Sequence, residues 1–512
     1  MRSPDLPSYW SAEGRAPRPE GAVEPRALSG VVRTAVAIVG GGIAGLVIAA
    51  AVAATGREVV VLEARELAAA TTGGSTAKVT ALHGATYAEL ESTRGERAAR
   101  TYAEANQWGV RELERLVAEH DIDCGWEAQA AYSYTTEDAQ LGPLRREAEA
   151  AARAGLPVHA VTETPLPFDV ALAVRCDDQA QLDPVAFCDG LARSLRSRGV
   201  QIHRRTRVLT VREGEPHRLI VEGGEMEAVD VVLATQLPVH DPAMFFARTS
   251  PVRSYALAAR LHEPLPDGMY LGVDSPTRSI RHVGGEPSVG IFGGPSHQTG
   301  EGGDAAEHLA ELERWVRAAF PVEAVLEGWS AQDRMPDDGV PFIGRMPGSG
   351  AGVHVATGFK KWGLSHSAVA GSIISELIDG HIGPWLEVFD AGRAPTSAAA
   401  VRSDVSANAK VVGHFVGDRL RSLRPPTAET LAPGEGGLVD HDGTKVAAYR
   451  DASGELTIRS ARCPHMGCLV AWNSAERSWD CPCHGSRFGT DGSVLDGPST
   501  VGLPPPEPAP EP

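Results

Sequence analysis

The sequence predicts an α/β fold followed, near its C-terminal end, by a small all-β domain, and three observations predict it. Strand-length apolar runs and amphipathic helical stretches fill the chain from Val32 to about Arg393. Near the start of that region, a strand, a glycine turn, a helix and a second strand follow one another between Thr34 and Glu63. From Glu429 onward, short β-runs and glycine turns dominate, with four of the seven cysteines among them. At 512 residues the chain exceeds one small core and calls for two or three domains.

Residues 1–31 form an extension rich in Pro, Gly and charge, without the apolar core of a secretory signal. Then Val36–Val39 reads as a short buried strand, Leu46–Thr55 as an alanine-rich helix stopped by Gly56, and Val59–Leu62 as a second strand ending on Glu63. Between the first strand and the helix lies Gly40-Gly-Gly42-Ile-Ala-Gly45. Gly40 suits the tight turn, Gly42 lets backbone approach a pyrophosphate, and Gly45 lets helix and strand pack closely. The helix N-terminus then faces phosphates, and Glu63, eighteen residues beyond Gly45, can accept from an adenosine ribose hydroxyl. A dinucleotide is therefore expected. Thr71-Thr72-Gly-Gly-Ser75-Thr76-Ala-Lys78 follows, offering hydroxyls and amides suited to a second phosphate and a ribityl chain.

Gly95–His120 reads as a long amphipathic helix, and Ala130–Tyr134 opens a strand of an inserted domain. Asp183-Pro184 caps a helix that stops at Gly199, Val200–Val211 alternates as one strand, and Val229–Thr235 is a buried strand followed by Gln236. Ser250–His262, Gly268–Val273, Arg278–Val283 and Ser288–Gly293 read as an antiparallel sheet, and Asp304–Phe320 as an amphipathic helix ended by Pro321. Finally Val353–Thr357 is a strand leading through Gly358-Phe-Lys-Lys361-Trp362-Gly363-Leu364 into a helix that ends near Gly380. This late turn supplies a second positive helix end, suited to the electron-rich edge of a reduced flavin.

From Val32 to Arg393 the chain resembles the D-amino acid oxidase class of FAD-dependent oxidoreductases. The resemblance implies a Rossmann-type FAD-binding domain with an inserted antiparallel-sheet substrate domain (residues 32–393). It implies FAD contacts at Gly40, Gly42, Gly45, Glu63, Thr72, Ser75, Thr76, Lys78, Gly358, Trp362, Gly363 and Leu364, with the Val208 backbone meeting the adenine. Gln236 departs from the Ala-Thr-Gly usual there. Tyr255 and Arg281 are candidates to fix a substrate carboxylate, as Tyr and Arg do in amino-acid oxidases, and Lys361 to stabilise anionic flavin or activate oxygen. The plainer reading of all three is surface or interdomain pairing. His83 and His297 read as structural, and Tyr132, Tyr134 and Trp362 as core or flavin-wall aromatics.

Residues 394–428, rich in Ala, Ser, Pro and charge, form a linker with a short helical piece at Val411–Leu423. Within residues 429–504 stands Cys463-Pro-His465-Met-Gly-Cys468 and, with fifteen residues intervening after His465, Cys481-Pro-Cys483-His484-Gly-Ser486-Arg-Phe488. Each half offers a thiolate and an imidazole, so two hairpin tips can clamp one metal centre. Two cysteines and two histidines suit a [2Fe-2S] cluster with thiolates on one iron and imidazoles on the other; they also suit structural zinc. The segment resembles the Rieske family, which implies Cys463, His465, Cys481 and His484 as ligands and Cys468 disulfide-bonded to Cys483. Ser486 can donate to a cluster sulfur, whereas Phe488 stands where high-potential members carry a tyrosine hydroxyl. Losing that hydrogen bond lowers the potential, to an intermediate value within roughly −150 to +300 mV. The final residues, 505–512, are a Pro/Glu tail.

With 42% hydrophobic and 22% charged residues, the composition is that of a soluble globular chain. A net charge of −18 argues against nucleic acid or an anionic membrane as partner, and no apolar run reaches the ~18 residues a membrane span needs. Cys124, Cys176 and Cys188 are scattered, as reduced core cysteines of a cytoplasmic protein are. The order of FAD domain, linker and Rieske domain resembles bacterial FAD-dependent oxidoreductases with a C-terminal Rieske domain. That implies oxidation of a small amine, amino acid or related metabolite at FAD, with electrons leaving singly through the cluster to a soluble electron-transfer partner. Two alternatives stand: a reductase fed by a ferredoxin-like donor through the cluster, and a non-catalytic redox-sensing or electron-transfer protein. No second nucleotide fingerprint for NAD(P)H is found.

Overall fold

The computed structural model describes residues 8–12, 28, 30–394, 427–441 and 443–506. The helical piece anticipated at 411–423 lies outside the described residues, as does the tail from 507.

Four consecutive valine- and leucine-rich residues, Val59–Leu62, are buried on both faces, which only the interior of a parallel sheet provides. They pair in parallel with Gly30–Val39, which pairs in parallel with Gly224–Leu233, and that in turn with Val353–Thr357. Phe342–Arg345 closes one edge antiparallel and Gln201–His203 the other in parallel. The helix Ile43–Ala54 is apolar nearly all round and correspondingly buried. It lies under the late helix Gly363–Ile378, where Gly371 allows contact with Ala51 and the Val47 carbonyl.

A nine-stranded sheet forms the second layer, in the order Val322–Pro336, Thr249–Leu261, Glu286–Gln298, Ser279–Val283, Met269–Gly272, Glu127–Thr135, Leu172–Gln181 and Lys78–Val79, with Val158–Val161 attached to Leu172–Gln181. One face covers the parallel domain. The other carries the amphipathic helix Ala305–Ala319, capped by the Asp304 carboxylate. Asp183 likewise caps Pro184–Ser197 by accepting from the Val185 and Ala186 amides.

Two sequence expectations need correction. The helix expected at Gly95–His120 starts at Tyr87 and kinks at Gly95, whose φ of +83° a glycine adopts freely. The single strand expected at 200–211 is two, Gln201–His203 and Val208–Arg212. Between them the chain wraps around Glu63: Glu63 donates its amide to the His203 carbonyl and its carbonyl accepts from Thr206. The long edge strand Val322–Pro336 follows the covering helix and has no counterpart in the strands read from the sequence.

The C-terminal part holds two small antiparallel sheets, Gly436–Ser460 in three strands and Ala471–Asp496 in four. Their core is built on Trp479, Phe488 and Cys463, Cys468, Cys481 and Cys483.

Candidate functional site

A cavity of about 470 Å³ runs between the two large sheets. The glycine turn forms one end. A Cβ on Gly45 would lie 1.9 Å from the Gly40 carbonyl oxygen, and one on Gly40 2.8 Å from that of Ala234, so both positions are open to glycine alone. Gly42 leaves the backbone bare beside Thr72, whose hydroxyl accepts from the Ile43 amide. Glu63 lies alongside, its two carboxylate oxygens accepting from the Gly41 and Arg65 amides at 2.7 Å, with lone pairs remaining for a hydroxyl. Bare backbone at a helix N-terminus, with a carboxylate beside it, fits the pyrophosphate and ribose of a dinucleotide.

Of the cofactor candidates from the sequence, Gly45 packs behind the turn and the others line this cavity, including Thr72, Ser75, Thr76, Lys78, Val208, Gly358, Trp362, Gly363 and Leu364. Some are committed locally. The Ser75 hydroxyl accepts from the Ala77 amide, and Lys78 Nζ donates to Ser279 at 2.6 Å and Thr76 at 3.1 Å. Burial, reinforced by the Arg281 charge, holds the Lys78 amine well below its usual pKa.

The three catalytic candidates part company. Lys361 lines the cavity, with left-handed backbone (φ +71°). Burial lowers its pKa against the opposing pull of Asp333, which also lines the cavity. Tyr255 also borders the cavity, but its ring packs with Leu257 and Phe292 on the far side of the sheet and stacks on His308 of the covering helix. Its hydroxyl contacts His297 at 2.9 Å. Strand alternation, with a bulge between Ser254 and Ala256, turns the Tyr255 ring away and leaves the rest of the residue at the cavity. Ser254, which the sequence reading passed over, lines the cavity with a buried hydroxyl lacking a partner. Arg281 stands behind the wall: its three nitrogens donate to the carbonyls of Thr76, His282 and Leu182, and the Trp10 ring covers its guanidinium.

His83 stacks on Trp362 at 4.5 Å and joins Tyr102 and the Thr80 carbonyl at 2.7 Å, so it is tied into the wall. His297 contacts Tyr255 and the Gln298 carbonyl. Tyr132 stacks on Tyr270, and Tyr134 packs against Phe168, both in the core beneath the covering helix.

The second site sits in the C-terminal part. Two turns face each other, one closed by the Gly467 amide on the Cys463 carbonyl and the other by the Gly485 amide on that of Cys481. Cys463 and Cys481 are buried free thiols, while Cys468 and Cys483 are disulfide-bonded, 2.01 Å between sulfurs. A hydrogen bond with Cys481, aided by Ser486, draws the Cys463 thiol down to about 7. The His465 and His484 rings are 5.1 Å apart, and Phe246 sets its ring edge-on to both. Burial holds His484 neutral, its pKa drawn down to about 3, and its Nδ1 is buried with no partner. Two thiols meeting each other, two neutral imidazoles and an orphaned ring nitrogen suit a two-iron centre better than a satisfied protein core. Phe488 is fully buried.

The two sites share a wall. Leu495–Thr500 of the C-terminal part lines the same cavity as the glycine turn, with Asp496 3.6 Å from Arg65.

Comparison with known proteins fits both sites. Residues 35–377 match the FAD dependent oxidoreductase family (DAO), and residues 426–507 the Rieske [2Fe-2S] domain. The chain is 34% identical over 469 residues to the Bacillus subtilis (strain 168) protein YhfW, whose name describes it as a Rieske 2Fe-2S iron-sulfur protein, covering 91% of each. Over 104 residues it is 38% identical to the chloroplastic cytochrome b6-f complex iron-sulfur subunit of Fritillaria agrestis, covering 20% of this chain and 39% of that one. In fold it is similar to glycine oxidase from Geobacillus kaustophilus (TM-score 0.61, 21% identity, 71% of this chain and 100% of that one). L-proline dehydrogenase from P. horikoshii is comparably similar (TM-score 0.60, 18% identity, 71% and 98%).

Proposed function

We propose that this chain, which belongs to the FAD-dependent oxidoreductase family and carries a Rieske [2Fe-2S] domain, oxidises a small amine, amino acid or related metabolite and passes the electrons singly through its cluster. One observation carries the reading: a segment of the Rieske domain, Leu495–Thr500, forms part of the wall of the flavin cavity. Two redox sites built into one wall serve electron exchange within the molecule. FAD accepts electron pairs from organic substrates and releases them one at a time, and the cluster carries one. In the substrate a C–N single bond becomes C=N, with loss of two electrons and two protons.

The protein's part is binding, orientation and proton handling. Gly40, Gly42, Gly45 and Glu63 hold the dinucleotide end, and Gly358, Trp362, Gly363 and Leu364 hold the flavin end. Lys361 and Asp333 place a buried amine and a carboxyl in one cavity, and Ser254 offers a free hydroxyl. Among these, Lys361 is the group we assign to stabilising negative charge on reduced flavin. Cys463 and Cys481 supply thiolates and His465 and His484 imidazoles to the cluster, and the Cys468–Cys483 bond ties the two ligand turns together.

The glycine oxidase and proline dehydrogenase similarities support an amine or amino-acid substrate. The deciding experiment is anaerobic mixing of the purified protein with a panel of primary and secondary amines, amino acids and their N-methyl derivatives. Bleaching of the flavin followed by a cluster EPR signal is the expected result. Reduction by reduced ferredoxin and by no member of the panel contradicts the proposed direction, and reduction by neither leaves the protein a sensor.

A further inference from the structure

Gln236, the residue that departs from the glycine usual at its position, does not face an empty turn. Its amide nitrogen donates to the Thr71 hydroxyl at 2.9 Å and to the Gln332 carbonyl, and its oxygen accepts from Gln332 Nε2 at 3.1 Å. The same Gln332 nitrogen donates to the Gly485 carbonyl at 2.9 Å, one residue past His484. Two positions along the strand, Arg334 donates from Nη2 to the His484 carbonyl itself. Gln236 and Arg334 both line the flavin cavity. A line of polar side chains thus connects that cavity to the backbone of one ligand turn.

Arg334 is the unusual member. It is 1% exposed, and its Nε and Nη1 are buried without a hydrogen-bond partner. A buried guanidinium with two unmatched nitrogens is costly, and a well-packed apolar side chain commonly serves stability as well or better. Burial works against its charge, and Asp496 and Asp241 favour it from a distance. The turn it holds has no slack: Gly485 has φ +73°, and a Cβ there would lie 2.5 Å from that of Pro251. Cys481 through Gly485 are all buried, whereas on the other ligand turn Arg462, Pro464 and Met466 are exposed. Among the described residues, only the His484 turn is clamped to the flavin domain in this way.

We infer that Arg334, acting alongside Gln236 and Gln332 on the same ligand turn, is a positioning residue of the junction between the two redox centres, clamping the His484 turn against the flavin cavity and raising the cluster's midpoint potential. The inference rests on the electron relay proposed above. A fixed positive charge favours the cluster form that carries one more electron, and solvent barely screens it in this buried seam. Each crossing takes one electron from reduced flavin and turns one ferric iron ferrous; no atom crosses. Two crossings clear one substrate oxidation, and a soluble one-electron acceptor receives them in turn.

The test is a mediated dithionite titration of the purified holoprotein, reading the cluster by EPR and the flavin by absorbance. Arg334→Met is expected to shift the cluster's one-electron equilibrium toward the oxidised form by at least about tenfold, which is about 59 mV. Arg334→Lys, which keeps the charge, stays within about threefold of wild type, and so does Arg462→Gln, which removes an exposed charge from the other turn. Should Arg334→Met fail to retain its cluster, Arg334→Gln keeps a donor for His484 without the charge and carries the same expected fall. An unchanged cluster potential in the neutral variant, an equal fall in Arg334→Lys, or an equal fall in Arg462→Gln overturns the assignment. Because the titration needs no substrate, the two readings fail separately: a flavin that no amine reduces counts against the substrate chemistry alone, and unchanged potentials count against Arg334 alone.

Discussion

A single methyl group distinguishes what the glycine turn tolerates. The Cβ of Gly45→Ala would meet the Gly40 carbonyl oxygen at 1.9 Å, so the turn must open. We expect flavin occupancy, read as absorbance near 450 nm per protein, to fall at least about tenfold, with overpacking costing about 1–3 kcal/mol of stability. Burial acts as directly on His366, whose imidazole is drawn from 6.5 to about 3. Between those values the unfolded chain binds a proton that the folded chain refuses, so stability rises with pH up to the unfolded value and is level above it. Acidification by one unit below about 6.5 costs up to about 1.4 kcal/mol for such a histidine. His366→Phe should flatten the slope of urea stability between about pH 5 and pH 7; an unaltered slope contradicts this. Single residues were legible in the sequence where chemistry depends on type and local spacing, as at Gly40–Gly45 and the four Cys and His of the cluster turns. Tyr255 and Arg281 were not. Whether a strand residue faces a cavity turns on register, and the bulge between Ser254 and Ala256 leaves no trace in a list of residue types.

Elements form where local signals and long-range partners agree. The first β-α-β unit was readable because its parts are adjacent and each is punctuated by glycine. The strand Val322–Pro336 was harder: it carries charges, a glycine and a tryptophan, and gains its extended form from pairing along nearly the whole of Thr249–Leu261. The split of residues 200–211 was likewise hidden, because it is imposed by Glu63, far away in sequence. Helix Tyr87–Glu119 shows a similar debt. Its first amides, on Thr86, Tyr87 and Ala88, donate at 2.8–2.9 Å to the buried carboxylate of Glu147. Glu147→Ala leaves three donors unmatched and should cost about 3 kcal/mol or more, visible as a lowered melting temperature. A change below about 0.5 kcal/mol would show that the helix end finds other acceptors.

At the scale of the molecule, the Rieske domain is anchored by buried charge. Arg253 of the large sheet pairs with Glu476, which also meets Arg487, and Arg487 reaches Asp480 at 3.0 Å and Asp496 at 3.2 Å. Nothing in the sequence announces this seam, since Arg253 and Glu476 are separated by 223 residues and the charges carry no periodicity. Removing one member strands the others in low dielectric, so Arg253→Met should loosen the domain by about 3–5 kcal/mol. Faster proteolytic release of the Rieske domain would register it, and unchanged cleavage would contradict it. For the relay proposed above, this anchoring has a kinetic consequence: a docked cluster would exchange with its own flavin and not with a neighbour's. The most direct test is flash-induced one-electron reduction of the flavin in the anaerobic holoprotein, following flavin and cluster absorbance together. First-order transfer to the cluster, at a rate independent of protein concentration, is the expected result. A rate that climbs with concentration, or a cluster that stays oxidised while the reduced flavin persists, would contradict it.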